Sequence, residues 1–298
     1  MSGVPTRTVL GIVGGSGLYE IDGLSNTRWE HVPTPWGEPS DQLLFGTLEG
    51  VDCVFLPRHG RGHPLTPSAI NYRANIDALK RVGVTDILSL SACGSLKEDY
   101  PPGDFVLVDQ FIDRTFAREK SFFGPGFVGH VSMAHPVCPK LREALAKAAA
   151  AEGIRHHVGG TYLVMEGPQF STLAESRLYR SWGCDVIGMT NMPEAKLARE
   201  AELPYATVAM VTDYDCWHPD HDHVEVADVV RVLGQNADKA RALLRRVVPL
   251  LGPDRKPSPL GIETCLDTAL ITAPDKRDPA LVARLDAVAG RALAAQGM

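Results

Sequence analysis

The stretch YATVAMVTDYDCW at residues 205–217 joins a hydrophobic segment to two carboxylates and points to the fold class. Residues 205–211 form an apolar run of the length expected for a buried strand. Asp213 and Asp215 follow this run, two residues apart. In open α/β sheets, ligands bind outside the carboxyl ends of the strands. We therefore predict that the two aspartates meet one edge of a ligand.

The two aspartates also indicate the kind of ligand edge. A carboxylate accepts hydrogen bonds and, when protonated, donates one. This suits a 6-aminopurine, which presents an amino donor beside the ring nitrogen N7. A 6-oxopurine would instead call for an amide donor. Asp213 and Asp215 therefore bear on the choice of substrate as well as on the type of reaction.

Strand-like and helix-like segments alternate along the rest of the chain. This alternation predicts an α/β fold whose central β-sheet is largely parallel and is flanked by helices. Residues 1–251 are expected to form one domain. Residues 252–261 contain three prolines and are interpreted as a linker, and 262–298 as a helical C-terminal segment that packs on the core or on a neighbouring subunit. The predicted strands are 9–13, 51–56, 87–90, 105–108, 161–165, 186–189 and 205–211, and the predicted helices are 67–82, 139–152, 171–182 with Ser171 as N-cap, 193–201, 225–251 and 279–296.

Composition and charge narrow the functional classes. The chain has 298 residues, 44% of them hydrophobic, which is ample for a substantial core. A net charge of −6 argues against a dominant nucleic-acid or membrane surface. There is no signal-like N-terminus and no apolar run of membrane-spanning length, so we expect a cytoplasmic protein. The six cysteines contain no CxxC pair and are expected to be reduced.

Small, hydroxyl-bearing and cationic residues follow several predicted strands and could form a cup for inorganic phosphate. Gly14-Gly15-Ser16-Gly17 is either a plain turn or an anion-binding nest of backbone N–H groups. Arg58-His59 is either a solvated basic turn or a guanidinium fork that matches phosphate oxygens. Ser91-Ala92 and Thr190 would add hydroxyls and backbone amides. Because no lysine-bearing P-loop accompanies these residues, free phosphate fits better than a nucleoside triphosphate.

Two other kinds of chemistry are weaker interpretations. Residues 218–223 carry three histidines, but all candidate ligands lie in one short polar loop, so we predict no metal site and instead a mobile loop over the nearby site. Cys93 and Cys216 could be nucleophiles, although no base that would activate them is identifiable.

Seven motifs together identify a family. They occur in family order over about residues 8–251: GIVGGSGL at 11–18, RHGR at 58–61, NYRAN at 71–75, SACGSL at 91–96, DQFIDRT at 109–115, EGPQFS at 166–171 and TDYDCW at 212–217. In this combination the sequence resembles the trimeric purine nucleoside phosphorylase family, and within it the S-methyl-5'-thioadenosine phosphorylases.

The resemblance implies a nucleoside phosphorylase fold over residues 1–251, with a single mixed sheet. It implies a pentosyltransferase of methionine and purine salvage that uses inorganic phosphate as co-substrate, needs no cofactor, binds no nucleic acid or membrane, and forms a homotrimer or homohexamer. Asp213 and Asp215 would be catalytic. Phosphate would be bound by Ser16, Arg58, His59, Ser91, Ala92 and Thr190. The nucleoside would contact Phe170, Met189, Asp213, Tyr214 and Asp215, its specificity would involve Ser171, Val226, Val229 and Val230, and a neighbouring subunit would contribute His130.

Some positions depart from the family pattern. Ser16 and Ser91 stand where threonine is frequent, which keeps the hydroxyl group. Gly188 and Asn191 differ from the commonest form of their motif, Asn-Met-Thr-Thr. The alternatives that remain are a 6-oxopurine or methylthioinosine phosphorylase, a nucleosidase that uses water, and a nucleoside sensor without catalysis. A nicotinamide oxidoreductase would need a GxGxxG fingerprint, which is missing here.

Overall fold

A computed structural model of the chain describes residues 3–15, 17–219 and 226–297, and for residues 226–229 only the backbone. Within these residues, eleven strands form one mixed sheet, in which six pairings are parallel and four antiparallel. The fold class predicted from the sequence is therefore confirmed. The strands are β1 (Val9–Gly14), β2 (Ser25–Glu30), β3 (Leu43–Leu48), β4 (Val51–Pro57), β5 (Asp86–Ser95), β6 (Phe105–Leu107), β7 (Gln110–Asp113), β8 (His156–Val158), β9 (Thr161–Val164), β10 (Val186–Gly188) and β11 (Tyr205–Asp213).

Strand β5 organises the sheet. It pairs in parallel with β1 and β11 and, at its carboxyl end, antiparallel with β10. The main strand order is β2-β3-β4-β1-β5-β10-β9-β7, while β11 continues from β5 to β6 and β8. Because β1, β4, β5 and β11 run in the same direction, the residues that follow them gather at one edge of the sheet.

Helices cover both faces of the sheet. They are α1 (Tyr72–Arg81), α2 (Pro139–Ala151), α3 (Leu173–Ser181), α4 (Asn191–Glu200), α5 (Val226–Leu251), α6 (Pro279–Arg284) and α7 (Gly290–Ala295). One hydrophobic cluster joins α1 and α4 to the sheet, and a second joins α2 and α5 to its other face. None of the described helices combines the length and the apolar composition that a membrane span needs.

Three predicted helix boundaries are wrong. The helix predicted from residue 67 begins only at Tyr72, because the Asn71 side chain caps it by accepting the Ala74 N–H at 3.1 Å. Helix α3 is capped by Thr172 rather than Ser171, in a capping box with Glu175. The single C-terminal helix predicted over 279–296 is divided into α6 and α7.

The end of β5 also differs from the prediction. The motif 91–95 was expected to follow a strand that stops at residue 90, but it lies inside β5. Pairing with β11 and β10 continues through Gly94 and Ser95, so neighbouring strands hold these small polar residues extended. The Ser91 hydroxyl is therefore presented from a rigid strand.

The segment after residue 251 is joined to the base of the sheet by buried ion pairs. Arg255 donates from Nε to Asp86 and from Nη2 to Glu263, each at 2.7 Å. Lys140 also reaches Asp86, at 2.9 Å. Further along, Val288 belongs to the hydrophobic cluster around α1 and α4. The segment is thus packed on the core of its own chain.

Replacing Arg255 by methionine should lower the free energy of unfolding by about 3 kcal/mol, measured by urea denaturation at fixed protein concentration. Glu263 would stay buried without its cation, while Lys140 would still contact Asp86, so the loss should fall at the low end of that for a broken buried pair. The matched control is Lys147→Met. Lys147 pairs with Glu143 at the surface, where both side chains are 66% exposed, and should lose less than about 1 kcal/mol. Equal losses in the two variants would contradict the assignment.

Candidate active site

A β-bulge at the end of β11 sets the direction of the first aspartate. Val211 pairs with Cys93 and Asp213 with Gly94, so Thr212 is an extra residue on β11. The Thr212 hydroxyl oxygen lies 3.2 Å from the Cys93 carbonyl oxygen. Bulges of this kind redirect side chains at strand ends. Here the bulge lets the Asp213 carboxylate lie over β5.

Asp213 depends on the glycine beneath it. A Cβ at position 94 would lie 2.8 Å from Asp213 Oδ1, so only glycine allows this approach without a shift. Asp213 Oδ1 accepts the Asp215 N–H at 2.8 Å, and Oδ2 accepts the Thr212 hydroxyl at 2.7 Å. Burial nevertheless raises the pKa of Asp213, which favours the protonated form that can act as an acid.

Asp215 is buried with part of its hydrogen-bonding capacity unused. The residue is only 4% exposed, and Oδ2 forms no hydrogen bond of good geometry among the described residues, while the Ser176 and Ser171 hydroxyls and the Cys216 N–H lie near enough to offset part of the rise in its pKa. Its backbone is left-handed, with φ at +53°. Burial raises the pKa of this carboxyl to about 6, and the charge of Asp213 also raises it. An unpaired buried acceptor costs about 1–3 kcal/mol, and it marks a place where a ligand donor would fit.

Arg58 is buried below the sheet edge as half of an ion pair. It is 2% exposed and donates from Nε and Nη2 to the two carboxylate oxygens of Glu194, at 2.7 and 3.0 Å. Nη2 also donates to the Ser89 hydroxyl, and Nη1 to the Leu90 carbonyl at 3.1 Å. Most of the guanidinium fork is therefore engaged inside the protein, which leaves one N–H of Nη1 for a ligand.

Other predicted phosphate residues lie on strand β5 and at the start of α4. Ser91 is buried in β5, with its hydroxyl 2.9 Å from Asn191 Oδ1, and Ala92 follows it. Thr190 is buried at the start of α4, where its side chain forms no capping hydrogen bond.

His59 follows Arg58 and is held as a neutral ring. Its Nδ1 lies 2.8 Å from the Leu65 carbonyl, and its ring stacks on His63 with centroids 4.0 Å apart. Burial lowers the pKa of His59 to about 4, and the charge of Arg58 lowers it as well. Because Nδ1 donates to the Leu65 carbonyl, the neutral ring leaves Nε2 as an acceptor, which could meet only a protonated oxygen of a ligand.

The predicted nucleoside contacts are distributed around the aspartates. The Ser171 carbonyl accepts from the thiol of Cys216, next to Asp215, at 3.3 Å. Tyr214 turns its hydroxyl to the Glu98 carbonyl, at 3.3 Å. Phe170 is exposed, and the Met189 side chain lies over Gly167.

Several predicted residues lie outside this constellation or outside the described residues. His130 is exposed beside a cavity of about 390 Å³ that is lined by none of the other predicted site residues, but by Lys120, Lys196 and Glu200. Val230 is 59% exposed on α5. Among the described residues, no group of three or more His, Cys, Asp or Glu could hold a metal ion. Ser16, the side chains of Val226 and Val229, and residues 220–225 of the predicted mobile loop are not among the described parts.

Sequence reasoning missed two charged residues that shape the site. Glu194 neutralises Arg58, and the only signal for it was that a buried arginine requires a carboxylate. Arg118 donates to the backbone carbonyls of Met189 and Met192 at 2.5 and 2.7 Å, and to that of Glu166 at 2.6 Å. It thereby holds two loops of the site together, and no local pattern predicts it.

The sheet edge combines buried hydroxyls, an arginine paired with a carboxylate, and two buried carboxyls of which Asp215 keeps one oxygen unpaired, at the place where α/β enzymes bind their ligands. Residues 9–249 match the model of the phosphorylase superfamily. The chain belongs to this superfamily.

Its relatives are similar over nearly their whole length. The S-methyl-5'-thioadenosine phosphorylase of Rhodospirillum rubrum is 65% identical over 293 residues, which cover 98% of this chain and 100% of that protein. The protein of the same name from Cereibacter sphaeroides is 63% identical, covering 96% and 99%. A crystal structure of a methylthioadenosine phosphorylase from an Antarctic soil metagenomic library matches with a TM-score of 0.90 and 47% identity, covering 95% of this chain and 99% of that one. A variant adenosine/methylthioadenosine phosphorylase from Schistosoma mansoni, in complex with adenine, matches with a TM-score of 0.79 and 41% identity, covering 83% and 92%.

Replacing Asp215 by asparagine should make the protein more stable at pH 8 but not at pH 4. Between the ordinary carboxyl pKa of 3.8 and the folded value of about 6, the folded state binds more protons than the unfolded state. Stability therefore falls as the pH rises through this window, by up to about 3 kcal/mol for a shift of this size. Asparagine removes this loss because it carries no charge.

Urea denaturation of both proteins at pH 4, 6 and 8 measures the effect. Asp99→Asn, at an exposed carboxylate, is the control and should leave the pH dependence of stability unchanged. An Asp215→Asn variant whose stability runs parallel to that of the wild type across this range would contradict the assignment.

Proposed function

We propose that the chain catalyses the reversible phosphorolysis of S-methyl-5'-thioadenosine to adenine and 5-methylthioribose 1-phosphate. The observation that carries this proposal is the unsatisfied, buried carboxyl oxygen of Asp215 beside Asp213. Two desolvated carboxyls at one strand end fit the N7 and 6-amino edge of adenine. Similarity to proteins named for this activity supports the same substrate.

The positions of Ser91 and Gly94 along β5 support a site in which the phosphate and the purine base lie on either side of the ribose. Ser91 would contact phosphate, and Gly94, three residues on, lies under Asp213. At about 3.3 Å per residue, the two backbone positions lie about 10 Å apart along β5, so one strand would carry both halves of the site. In this proposal Met189 packs against the sugar and Phe170 against the purine.

The phosphate site in this proposal relies on hydrogen bonds more than on net charge. Arg58 is already neutralised by Glu194, so it contributes one N–H and a fixed geometry. The hydroxyls of Ser16, Ser91 and Thr190, the neutral ring of His59 and the backbone at Ala92 would supply the other contacts. Phosphate is thus held close to C1' and aligned for attack, which is catalysis by proximity.

The reaction proceeds by glycosyl transfer to phosphate. A phosphate oxygen forms a bond to C1' while the bond from C1' to N9 breaks, through a transition state with oxocarbenium character. The electron pair of the broken bond passes to the purine, and Asp213 in its protonated form donates a proton to N7. Asp215 accepts a hydrogen bond from the 6-amino group and thereby orients the base.

The remaining features of the proposal follow from the family. We propose a homotrimer, or a homohexamer, in which His130 of one subunit completes the site of the next, and in which Ser171, Tyr214, Val226, Val229 and Val230 line the nucleoside pocket. The expected setting is the cytoplasm. The partners are small molecules rather than nucleic acid or membrane, and no cofactor takes part.

Adenine release from methylthioadenosine should require inorganic phosphate. The measurement compares initial rates with phosphate, with sulfate at equal ionic strength, and with neither, and includes methylthioinosine as a second nucleoside. We expect fast release with phosphate and methylthioadenosine only. Release without phosphate would instead make the chain a nucleosidase, and preference for methylthioinosine would mean that the aspartate pair recognises a 6-oxopurine.

Replacing Asp213 by asparagine should reduce kcat by about 10²–10⁴-fold while the KM for methylthioadenosine changes much less. Asparagine keeps the shape of the side chain but cannot transfer a proton to N7. Steady-state rates of adenine release at saturating phosphate measure both constants. The companion variant Asp215→Asn should affect mainly the KM for the nucleoside. An unchanged kcat in Asp213→Asn would remove Asp213 as the acid.

A further inference from the structure

Tyr162 crosses one strand of the sheet to reach another. It lies on β9, beside Val186 of the neighbouring strand β10. Strand β10 is itself paired with β5, so it separates Tyr162 from Ser91. The Tyr162 hydroxyl nevertheless lies 3.3 Å from the Ser91 hydroxyl. The tyrosine side chain therefore spans the position of the strand between them.

Gly188 makes this crossing possible. Side chains alternate along a strand, so position 188 shares the face of Val186 and of Tyr162. A Cβ at 188 would overlap the Tyr162 hydroxyl oxygen and would lie 2.7 Å from its Cζ. The tyrosine hydroxyl thus occupies the space that a side chain at 188 would take. In this chain, Gly188 and Tyr162 are therefore sterically matched: any side chain at 188 would collide with the tyrosine hydroxyl.

Glu194 determines which groups donate and which accept in the hydrogen-bond network that leads to Ser91. Glu194 faces the Arg58 guanidinium with both oxygens, so it only accepts hydrogen bonds. Tyr205 donates its hydroxyl to Glu194 Oε1 at 2.8 Å. The Tyr205 oxygen can then only accept, and Asn191 Nδ2 donates to it at 2.7 Å. This places the amide nitrogen of Asn191 toward Tyr205 and its Oδ1 toward Ser91.

The same series of hydrogen bonds determines which hydroxyl group donates its hydrogen at Ser91. Ser91 donates its single hydroxyl hydrogen to Asn191 Oδ1 at 2.9 Å. The hydrogen between Ser91 and Tyr162 must therefore come from Tyr162. Burial raises the pKa of Tyr162 above its ordinary range, which keeps the phenol protonated as a donor. Ser91 is held between one acceptor and one donor. To contact a phosphate oxygen, which accepts, Ser91 turns its hydrogen from Asn191 Oδ1 to the phosphate, while Tyr162 remains its donor.

We propose that Tyr162 is a positioning residue of the phosphate site, which reaches across the vacant face of Gly188 to hold the Ser91 hydroxyl in place. This inference rests on the proposed phosphorolysis, in which Ser91 contacts phosphate. Tyr162 itself is completely buried and acts through Ser91. Positions 162 and 188 form a coupled pair, because the side chain of one fills the space left by the other.

Replacing Tyr162 by phenylalanine should raise the KM for phosphate about threefold to fivefold and leave the KM for methylthioadenosine unchanged within about twofold. The lost interaction is one neutral hydrogen bond, and 3.3 Å is long for such a bond, so the effect should be modest. A merely structural loss would act on both substrates or on kcat. Tyr100→Phe is the matched control, because it removes the hydroxyl of a tyrosine that stacks on His157 rather than on this network.

The coupling between the two positions provides a second, independent measurement. Gly188→Ala alone should raise the KM for phosphate at least as much as Tyr162→Phe, because its methyl group displaces the tyrosine hydroxyl. In a Tyr162→Leu background, the same Gly188→Ala change should add less than about twofold. The phosphate-induced rise in Tm should show the same coupling in the four proteins of this cycle, which are the wild type, Gly188→Ala, Tyr162→Leu and the double variant.

The outcomes separate this inference from the proposed function. Phosphate-independent adenine release by the wild-type protein would overturn the proposed function, and this inference with it, before any variant is compared. Phosphate-dependent release by the wild type, with a KM for phosphate unchanged in Tyr162→Phe, would overturn the positioning role alone. Additive effects of the changes at 162 and 188 would overturn the coupling.

Discussion

The buried ion pair between Arg58 and Glu194 is the constraint on which the polar interior of this sheet edge depends. Two charges taken out of water are tolerated only where their geometry is good and their remaining hydrogen bonds are satisfied. Here the pair is bidentate, and Ser89 and Tyr205 also donate to Glu194. Because the carboxylate can only accept, it fixes the orientation of each donor that follows, out to Ser91. A charge pair in the core therefore fixes which groups donate and which accept around Ser91, and a bound phosphate would have to draw the Ser91 hydrogen away from Asn191.

The elements of the fold that can be predicted from the sequence are those whose local pattern of apolar and polar residues is distinct. The run ending at Asp213 is apolar and then abruptly polar, and it is indeed β11 with the two aspartates at its mouth. The residues Ser91 to Ser95 are small and polar, which suggests a turn, yet they are extended because β11 and β10 pair with them. Such pairing comes from distant segments, and tertiary context overrides local preference. Short edge strands such as β2, with mostly exposed residues, carry no hydrophobic alternation from which to predict them.

In the candidate site, too, the chemical types of residues can be predicted from the sequence, whereas their long-range contacts cannot. Residue types at strand ends identified Arg58 and the aspartates, but not how Arg58 is used. Its partner Glu194 lies 136 residues further along the chain, and its burial follows from that pairing. The vacant face of Gly188 likewise has meaning only beside Tyr162, which no motif connects to it. Long-range complementarity of this kind requires the folded structure, whereas the chemistry of each group can be read from its type.

In the proposed phosphorolysis, the two halves of the site would be electrostatically opposite. On the phosphate side, Arg58 is neutralised and the hydroxyls are already paired, so the cup has little net charge to bind a dianion tightly. Only interactions that strengthen in the transition state accelerate the reaction, and an overly stabilised phosphate would be a weaker nucleophile. On the base side, Asp213 and Asp215 are desolvated with raised pKa values, and one oxygen of Asp215 is unpaired. In the proposed reaction, the free energy lost there by burial would be recovered when a purine supplies the missing donor, and the raised pKa of Asp213 would make a proton available as the leaving group acquires charge. The satisfied half would then hold the nucleophile in place, while the unsatisfied half would favour departure of the base.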